Sequence, residues 1–567
     1  MSAPSILQVK NLTVDFHAAE GLVRAVDTLS FEIPEGKTVG LVGESGSGKS
    51  VTSLAIMGLI DHPGRISKGE IIFQGKDLLK MNSSQRRMLR GSQMSMIFQE
   101  PMTSLNPVMN VGDQIIETII LHQKISRKLA IEKTIDLLHQ VQLPSPKQKL
   151  KSYPHELSGG QKQRVMIAMS IACGPKLLIC DEPTTALDVT IQKQILELLH
   201  QLQEKYKMSM LFITHDLGVI SEIASDLVVM YRSKMCEYGT AKDVMKNPQH
   251  PYTRGLLSCR PRIGKNPARL LTVSDFMSEE GEALTVTPAK LEVCEKKILQ
   301  HSGTPVLELK GLEVSFSLKS AWWSWEKQNF KAVDGVDLQI YSGQTMGLVG
   351  ESGCGKTTLG RAIVKLVETS KGEILFKGKN ISQMSKGDFF PLRKDVQMIF
   401  QDPYSSLNPR MNISEILLEP LNLHEPKLSY KEKMDRVEYF VSRVGLKKSH
   451  LARYPHEFSG GQRQRVSIAR ALVVKPALVI CDECVSALDV SVQAQVLNLL
   501  LDLQDELKLT YLFISHDLSV VHFMASEIAV MFQGQIKEFS HADDLYRNPK
   551  DNYTRKLLNS IPGLVVS

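Results

Sequence analysis

Two kinds of hydrophobic pattern alternate along this chain. Short, largely apolar runs bounded by polar residues lie at 38–42, 177–180 and 210–213, and again at 345–349 and 478–481. Runs of this length predict buried strands. Longer segments carry apolar residues at helical spacing. Residues 51–59 and 358–366 read as helices that directly follow two of the strands. In 107–142, Ile115, Ile116, Ile119 and Ile120 share one face and Ile131, Ile135 and Leu138 another. Residues 6–41 read as short alternating strands with a turn at Glu35-Gly36. Strands with polar residues at their ends, separated by helices, predict an α/β core whose site lies at the strands' C-terminal edge.

The pattern is a repeat. Met96-Ile97-Phe98-Gln99 returns as Met398-Ile399-Phe400-Gln401, and Tyr153-Pro154-His155-Glu156 as Tyr454-Pro455-His456-Glu457. Ser158, Asp181 and His215 each recur 301 residues later, as Ser459, Asp482 and His516. Copies this long are whole domains rather than solenoid units. The expected division is a first domain at 1–262, a linker at 263–304 and a second domain at 305–567. The linker's 42 residues reach at most ~140 Å, so the sequence leaves the docking of the halves open.

Composition excludes several classes. Of 567 residues, 43% are apolar and 23% charged, as in an ordinary soluble globular protein. The net charge of +7 is too weak and diffuse for a nucleic-acid partner. No apolar run reaches the length of a spanning helix, and residues 1–10 lack the pattern of a secretory signal. A cytosolic location is expected. The eight scattered cysteines read as reduced thiols.

Between the first strand and helix of each copy stands a P-loop pattern: Gly43-Glu44-Ser45-Gly46-Ser47-Gly48-Lys49-Ser50, and Gly350-Glu351-Ser352-Gly353-Cys354-Gly355-Lys356-Thr357. Its glycines let backbone N–H groups turn inward on phosphate oxygens, and the helix N-terminus adds positive potential there. Lys49 and Lys356 are placed for the β- and γ-phosphates, Ser50 and Thr357 for Mg²⁺. Asp181 and Asp482 end apolar strands and are placed to hold the Mg²⁺ shell. Glu182 and Glu483, next in line, are candidates to polarise the attacking water. His215 and His516 end further strands and are candidate donors to the γ-phosphate.

In this order and spacing, the P-loop, the glutamine after Met-Ile-Phe, Ser-Gly-Gly-Gln, Asp-Glu and the histidine resemble the nucleotide-binding domain of ATP-binding-cassette (ABC) proteins. The resemblance covers roughly 6–262 and 305–562. It implies two tandem P-loop NTPase domains, each a RecA-like α/β core with an antiparallel β-subdomain and an α-helical subdomain. It implies a head-to-tail pair, in which Ser158, Gly159, Gly160 and Gln161 of one domain and Ser459, Gly460, Gly461 and Gln462 of the other each close the partner's ATP. It further implies that Gln99 and Gln401 sense the γ-phosphate and join the metal shell, and that Asp188 and Asp489 cross the seam. Phe16 and Phe316 become candidates for stacking on adenine, with Phe330 a rival. The second copy departs in having Cys484 where the first has Pro183, giving Cys481-x-x-Cys484. With no second pair nearby, this is not a zinc or redox motif. Trp322, Trp323 and Trp325 form an insertion between two strands.

A narrower resemblance lies in the tails. Asn247-Pro248-Gln249-His250-Pro251-Tyr252-Thr253-Arg254 is similar to the tail of oligopeptide/dipeptide importer ATPases. The second copy keeps Asn548-Pro549 and Tyr553-Thr554-Arg555 without the His-Pro. Some members bind an iron–sulfur cluster here; with only Cys259 and distant Cys294, none is expected. The resemblance implies an ATPase that uses ATP and Mg²⁺ to drive a bacterial importer of peptides or peptide-like solutes. Its partners would be two transmembrane permease subunits, engaged through coupling helices, and indirectly a solute-binding protein. The chain would sit on the cytoplasmic face of the inner membrane and touch the membrane only through the permease. Two other tandem-cassette classes fit less well. Ribosome-acting proteins usually carry a long charged helical linker, and DNA-damage ATPases need zinc-binding cysteine pairs and large insertions.

Overall fold

The computed structural model describes residues 4–18, 21–99, 104–185, 187–261, 263–264, 267–278, 281–284, 303–318, 328–486 and 488–561. The Trp322–Trp325 insertion and Cys294 lie outside them. The chain forms two compact units. Unit 1 comprises Met1–Leu187, Ile191–Leu257 and Val273–Thr285; unit 2 comprises Asp188–Thr190, Ser258–Thr272 and Val286–Ser567.

In unit 1 a six-stranded sheet runs in the order Lys234–Thr240, Asp226–Tyr231, Thr38–Val42, Ser209–Thr214, Leu177–Asp181, Met94–Ile97. All neighbours are parallel except the first pair. The three middle strands are buried along their whole length. This explains their uninterrupted apolar character, since helices cover both faces of a parallel sheet. A second, antiparallel sheet runs Gly21–Pro34, Ser5–Ala18, Gly64–Phe73, Lys76–Asp77.

The strands at 6–41 are long rather than short. Ser5–Ala18 and Gly21–Pro34 are 14 residues each. Register shifts between Val9 and Leu12 and between Leu12 and Val14 break the alternation, so one bulged strand looks like several short ones in sequence. The two sheets share a core that includes Leu7, Leu29, Leu41, Ile179 and Ile213.

The helical segment at 107–142 is two helices, Val111–Gln123 and Arg127–Gln140, each N-capped by a side chain, from Asn110 and Ser126. Capping satisfies amide groups that a helix start leaves unpaired.

Unit 2 repeats this plan. Its six-stranded sheet runs Val396–Ile399, Leu478–Asp482, Thr510–Ile514, Thr345–Val349, Glu527–Phe532, Gln535–His541. Its antiparallel sheet runs Gln328–Ile340, Leu307–Leu318, Lys371–Phe376, Lys379–Asn380. Helices Ile413–His424 and Tyr430–Arg443 match the pair above. Unit 2 also holds the segment around Leu270. The Asn498 side chain accepts from the Leu270 N–H at 2.9 Å and donates to the Leu270 carbonyl at 2.8 Å.

Candidate nucleotide sites

Each P-loop joins a central strand to a helix. In unit 1 it leaves Thr38–Val42 and enters Lys49–Met57, two residues earlier than hydrophobicity alone indicates, because the helix begins at the polar lysine. In unit 2 it leaves Thr345–Val349 and enters Lys356–Ile363. The lysines are buried and held by their own loops. Lys49 Nζ donates to the carbonyls of Gly43 (2.8 Å) and Glu44 (2.9 Å). Lys356 Nζ donates to those of Gly350 (2.7 Å) and Glu351 (2.8 Å).

The first helical hydroxyl meets the strand-end aspartate in both units. Ser50 Oγ donates to Asp181 Oδ1 at 3.1 Å, and Thr357 Oγ1 to Asp482 Oδ1 at 2.9 Å. Burial pushes the Asp181 carboxyl up to about 6, against hydroxyl hydrogen bonds that lower it. Asp482 is raised for the same reason. A buried carboxylate beside a hydroxyl is a hard-oxygen donor set short of positive charge, and it fits Mg²⁺.

The adjoining glutamates collect donors. Glu182 accepts from Gln99 Nε2 at 3.0 Å and from Thr185 Oγ1 at 2.9 Å, and its other oxygen is 3.3 Å from His215 Nδ1. Glu483 accepts from Gln401 Nε2 at 2.9 Å and lies 3.3 Å from His516 Nδ1. Burial would raise the Glu182 carboxyl, but the hydrogen bond and charge of His215, with Thr185, outweigh it and hold it at about 2. Glu483 is likewise lowered, through His516. In both, the histidine favours the ionised form of the carboxylate. Both residues also sit at positive φ, 48° and 47°. That left-handed conformation is uncommon without glycine and often marks functional sites.

The signature residues begin helices. Ser158 caps Gly159–Ile171, and its Oγ accepts from the Gln161 N–H. Ser459 caps Gly460–Leu472, accepting from Gln462 in the same way. Asp188 and Asp489 precede helices Val189–Tyr206 and Val490–Leu507. The aromatic candidates differ. Phe16 packs against the edge of the unit 1 core, whereas Phe316 is 43% exposed and paired across the strands with Phe330, itself 51% exposed.

Residues 26–185 and 333–486 match the ABC transporter family. The chain belongs to the ABC transporter family. It is therefore an ATP-binding protein and an ATPase, with a cassette matched twice. Residues 236–280 and 538–566 match the C-terminal region of oligopeptide/dipeptide transporters. The ABC protein is 46% identical over 563 residues to the glutathione import ATP-binding protein GsiA of Pectobacterium atrosepticum, covering 98% of this chain and 89% of that one. It is 46% identical to GsiA of Escherichia coli K12, covering 99% and 90%. A solved dimeric bacterial ABC transporter cassette covers 42% of this chain and 98% of its own at 25% identity, with a TM-score of 0.38. No described helix of this ABC protein is long and apolar enough to cross a membrane.

Two further features stand out in these ABC units, and the first of them escaped the sequence reading. The tail tyrosines reach the P-loops: Tyr252 Oη accepts from the Glu44 N–H and Tyr553 Oη from the Glu351 N–H, each at 3.0 Å. The parallel spacing of both tails was the available signal. The second feature is a cavity of about 260 Å³ in unit 2, lined by Met398, Phe400, Glu419, Leu423, His424 and Arg470 among others. It opens where the edge strand Val396–Ile399, the helix Ile413–His424 and the helix Gly460–Leu472 meet, close in sequence to Gln401.

Proposed function

We propose that this ABC ATPase drives a bacterial importer of peptides or peptide-like solutes, and that its transmembrane permease consists of separate chains. The observation that carries this reading is the near full-length likeness to the glutathione import ATP-binding proteins. The tail matches to the oligopeptide/dipeptide transporter region support it.

In each cassette Lys49 or Lys356 leaves its loop carbonyls to bind the β- and γ-phosphates. Ser50 with Asp181, and Thr357 with Asp482, would hold Mg²⁺, and Gln99 and Gln401 would join them. Mg²⁺ held there would supply positive charge to the phosphoryl oxygens. Glu182 and Glu483 orient and deprotonate water, and His215 and His516 steady the γ-phosphate while holding those carboxylates in place. The signature helix of each cassette, through Ser158–Gln161 or Ser459–Gln462, closes on the ATP of the other, with Asp188 and Asp489 at the seam. Phe16 and Phe316 stack on adenine.

Coupling runs through the groove beside Gln401, and through its counterpart beside Gln99, where cytosolic helices of the permease dock. The protein is thus peripheral to the cytoplasmic face of the inner membrane. Closure on ATP and reopening after hydrolysis move the permease between its two faces.

Reconstitution with the neighbouring permease and solute-binding proteins tests this, with glutathione as the first cargo. ATPase activity rises when permease and loaded binding protein are present. Indifference to both would overturn the importer reading.

A further inference from the structure

The tails do more than mark a subfamily. In both cassettes a glutamate on the outermost strand anchors the tail by two backbone amides. Glu237 accepts from the N–H groups of Gln249 (2.8 Å) and His250 (3.1 Å). Glu538 accepts from those of Lys550 (2.9 Å) and Asp551 (3.0 Å). The tail helix then starts on a side-chain cap. His250 Nδ1 accepts from the Tyr252 N–H at 3.1 Å, and Asp551 Oδ1 from the Tyr553 N–H at 2.7 Å. The second copy therefore replaced its histidine without losing the cap. Each tyrosine ring packs on an aromatic at the end of the adjoining strand, Tyr231 at 4.4 Å and Phe532 at 4.2 Å between centroids. So built, each ring has one place for its hydroxyl, and that place is the second amide of the P-loop.

The residue that carries that amide is a pivot. The Glu44 carbonyl takes the Lys49 ammonium and the Ser47 N–H (3.1 Å), while its N–H goes to Tyr252. Glu351 repeats this with Lys356, Cys354 (3.3 Å) and Tyr553. Every polar group of a constrained loop needs a partner. Here the backbone N–H of the second loop residue finds its partner outside the loop, in the tail.

We infer that Tyr252 and Tyr553 are positioning residues for ATP binding, through which the C-terminal region of each cassette sets the shape of its P-loop. The inference rests on the reading of these loops as the ATP sites. It makes the tail a control point: a partner that draws the tyrosine hydroxyl away from the P-loop amide weakens nucleotide binding at the same time.

Tyr252→Phe and Tyr553→Phe keep the packed rings and remove only the hydroxyls. In the full-length double variant, Kd and KM for ATP rise about fivefold, the effect of losing one neutral hydrogen bond per site, with kcat within about twofold. Arg254→Ala disturbs the tail away from the loop, where Arg254 Nε donates to the Pro248 carbonyl at 2.9 Å. It lowers the melting temperature and leaves KM unchanged. Wild-type ATP affinity in the double variant, or a fall in kcat at unchanged KM, would overturn the inference. Lys49→Ala with Lys356→Ala separates the two readings. If the lysine variant loses nucleotide and the tyrosine variant does not, only this inference fails. If neither loses it, the ATP sites are misplaced and both fail.

Discussion

Of the three positive-φ glycines in each P-loop, the second and third sit in different surroundings, and substituting them separates backbone strain from steric contact. Gly48 and Gly355 have φ of +101° and +111°, and Gly46 and Gly353 have φ of +79° and +81°. A methyl group at any of them is strained by about 1–2 kcal/mol. The surroundings then diverge. A Cβ on Gly46 or Gly353 meets nothing within 4 Å. A Cβ on Gly48 would overlap the Ala25 carbonyl and stand 3.2 Å from Met230 Cε; on Gly355 it would overlap the Ala332 carbonyl and stand 2.9 Å from Met531 Cε. Those carbonyls belong to residues at the bulge of a long strand, skipped in its register, so either the bulge or the loop must move. Overpacking of this kind adds about 1–3 kcal/mol. The loop relaxes into another shape, and ATP has to restore the binding shape, so the strain appears as lost affinity. Nucleotide titration of the full chain is the assay. The Gly46→Ala/Gly353→Ala pair should bind about tenfold more weakly than wild type, and the Gly48→Ala/Gly355→Ala pair at least about a hundredfold. Equal losses from the two pairs would refute the role given to the Ala25 and Ala332 carbonyls.

The remaining predictions concern the carboxylates. Glu182→Gln with Glu483→Gln should lower kcat by at least about a hundredfold, the contribution of a general base, with ATP affinity retained; hydrolysis near wild type in this double variant would remove both residues from the mechanism. Asp181→Asn should abolish Mg²⁺-dependent hydrolysis at the first site yet raise the nucleotide-free melting temperature. Burial holds that carboxyl near 6 rather than its ordinary value, and removing the charge returns about 3 kcal/mol. A melting temperature below wild type would show that the charge is already compensated within the protein.

Much of each site was legible because its residues are joined by short local rules. The P-loop glycines, the strand-end Asp181-Glu182 and the Ser158 cap all announce themselves within a few residues of sequence. The strands of the six-stranded sheet were legible for the same reason, as largely apolar runs of four or five residues, whereas the antiparallel sheet was expected only from the family resemblance. What stayed hidden depends on long-range geometry. Register shifts made Ser5–Ala18 look like several pieces, because the outward face of a bulged strand changes side at each shift. The Tyr252 contact spans 208 residues of sequence, and no local pattern reports which amide a distant hydroxyl finds.

The repeat also conceals a difference between the two sites. Thr185 and Ser486 occupy equivalent positions, and each carries a hydroxyl. The Thr185 hydroxyl donates to the Glu182 carboxylate at 2.9 Å, while the Ser486 hydroxyl donates to the Glu483 backbone carbonyl at 2.9 Å. A β-branched side chain has few χ1 choices, whereas serine turns freely to a nearby carbonyl. One methyl group thus accompanies a third donor on the first base, and the second base has two. At the P-loops, Ser47 faces the same position as Cys354, whose Sγ lies 3.7 Å from the Lys356 ammonium. Two copies that align motif for motif need not be equal machines. The inequality sits in side chains next to the motifs, where a pattern search treats serine, threonine and cysteine as interchangeable and the hydrogen bonds do not.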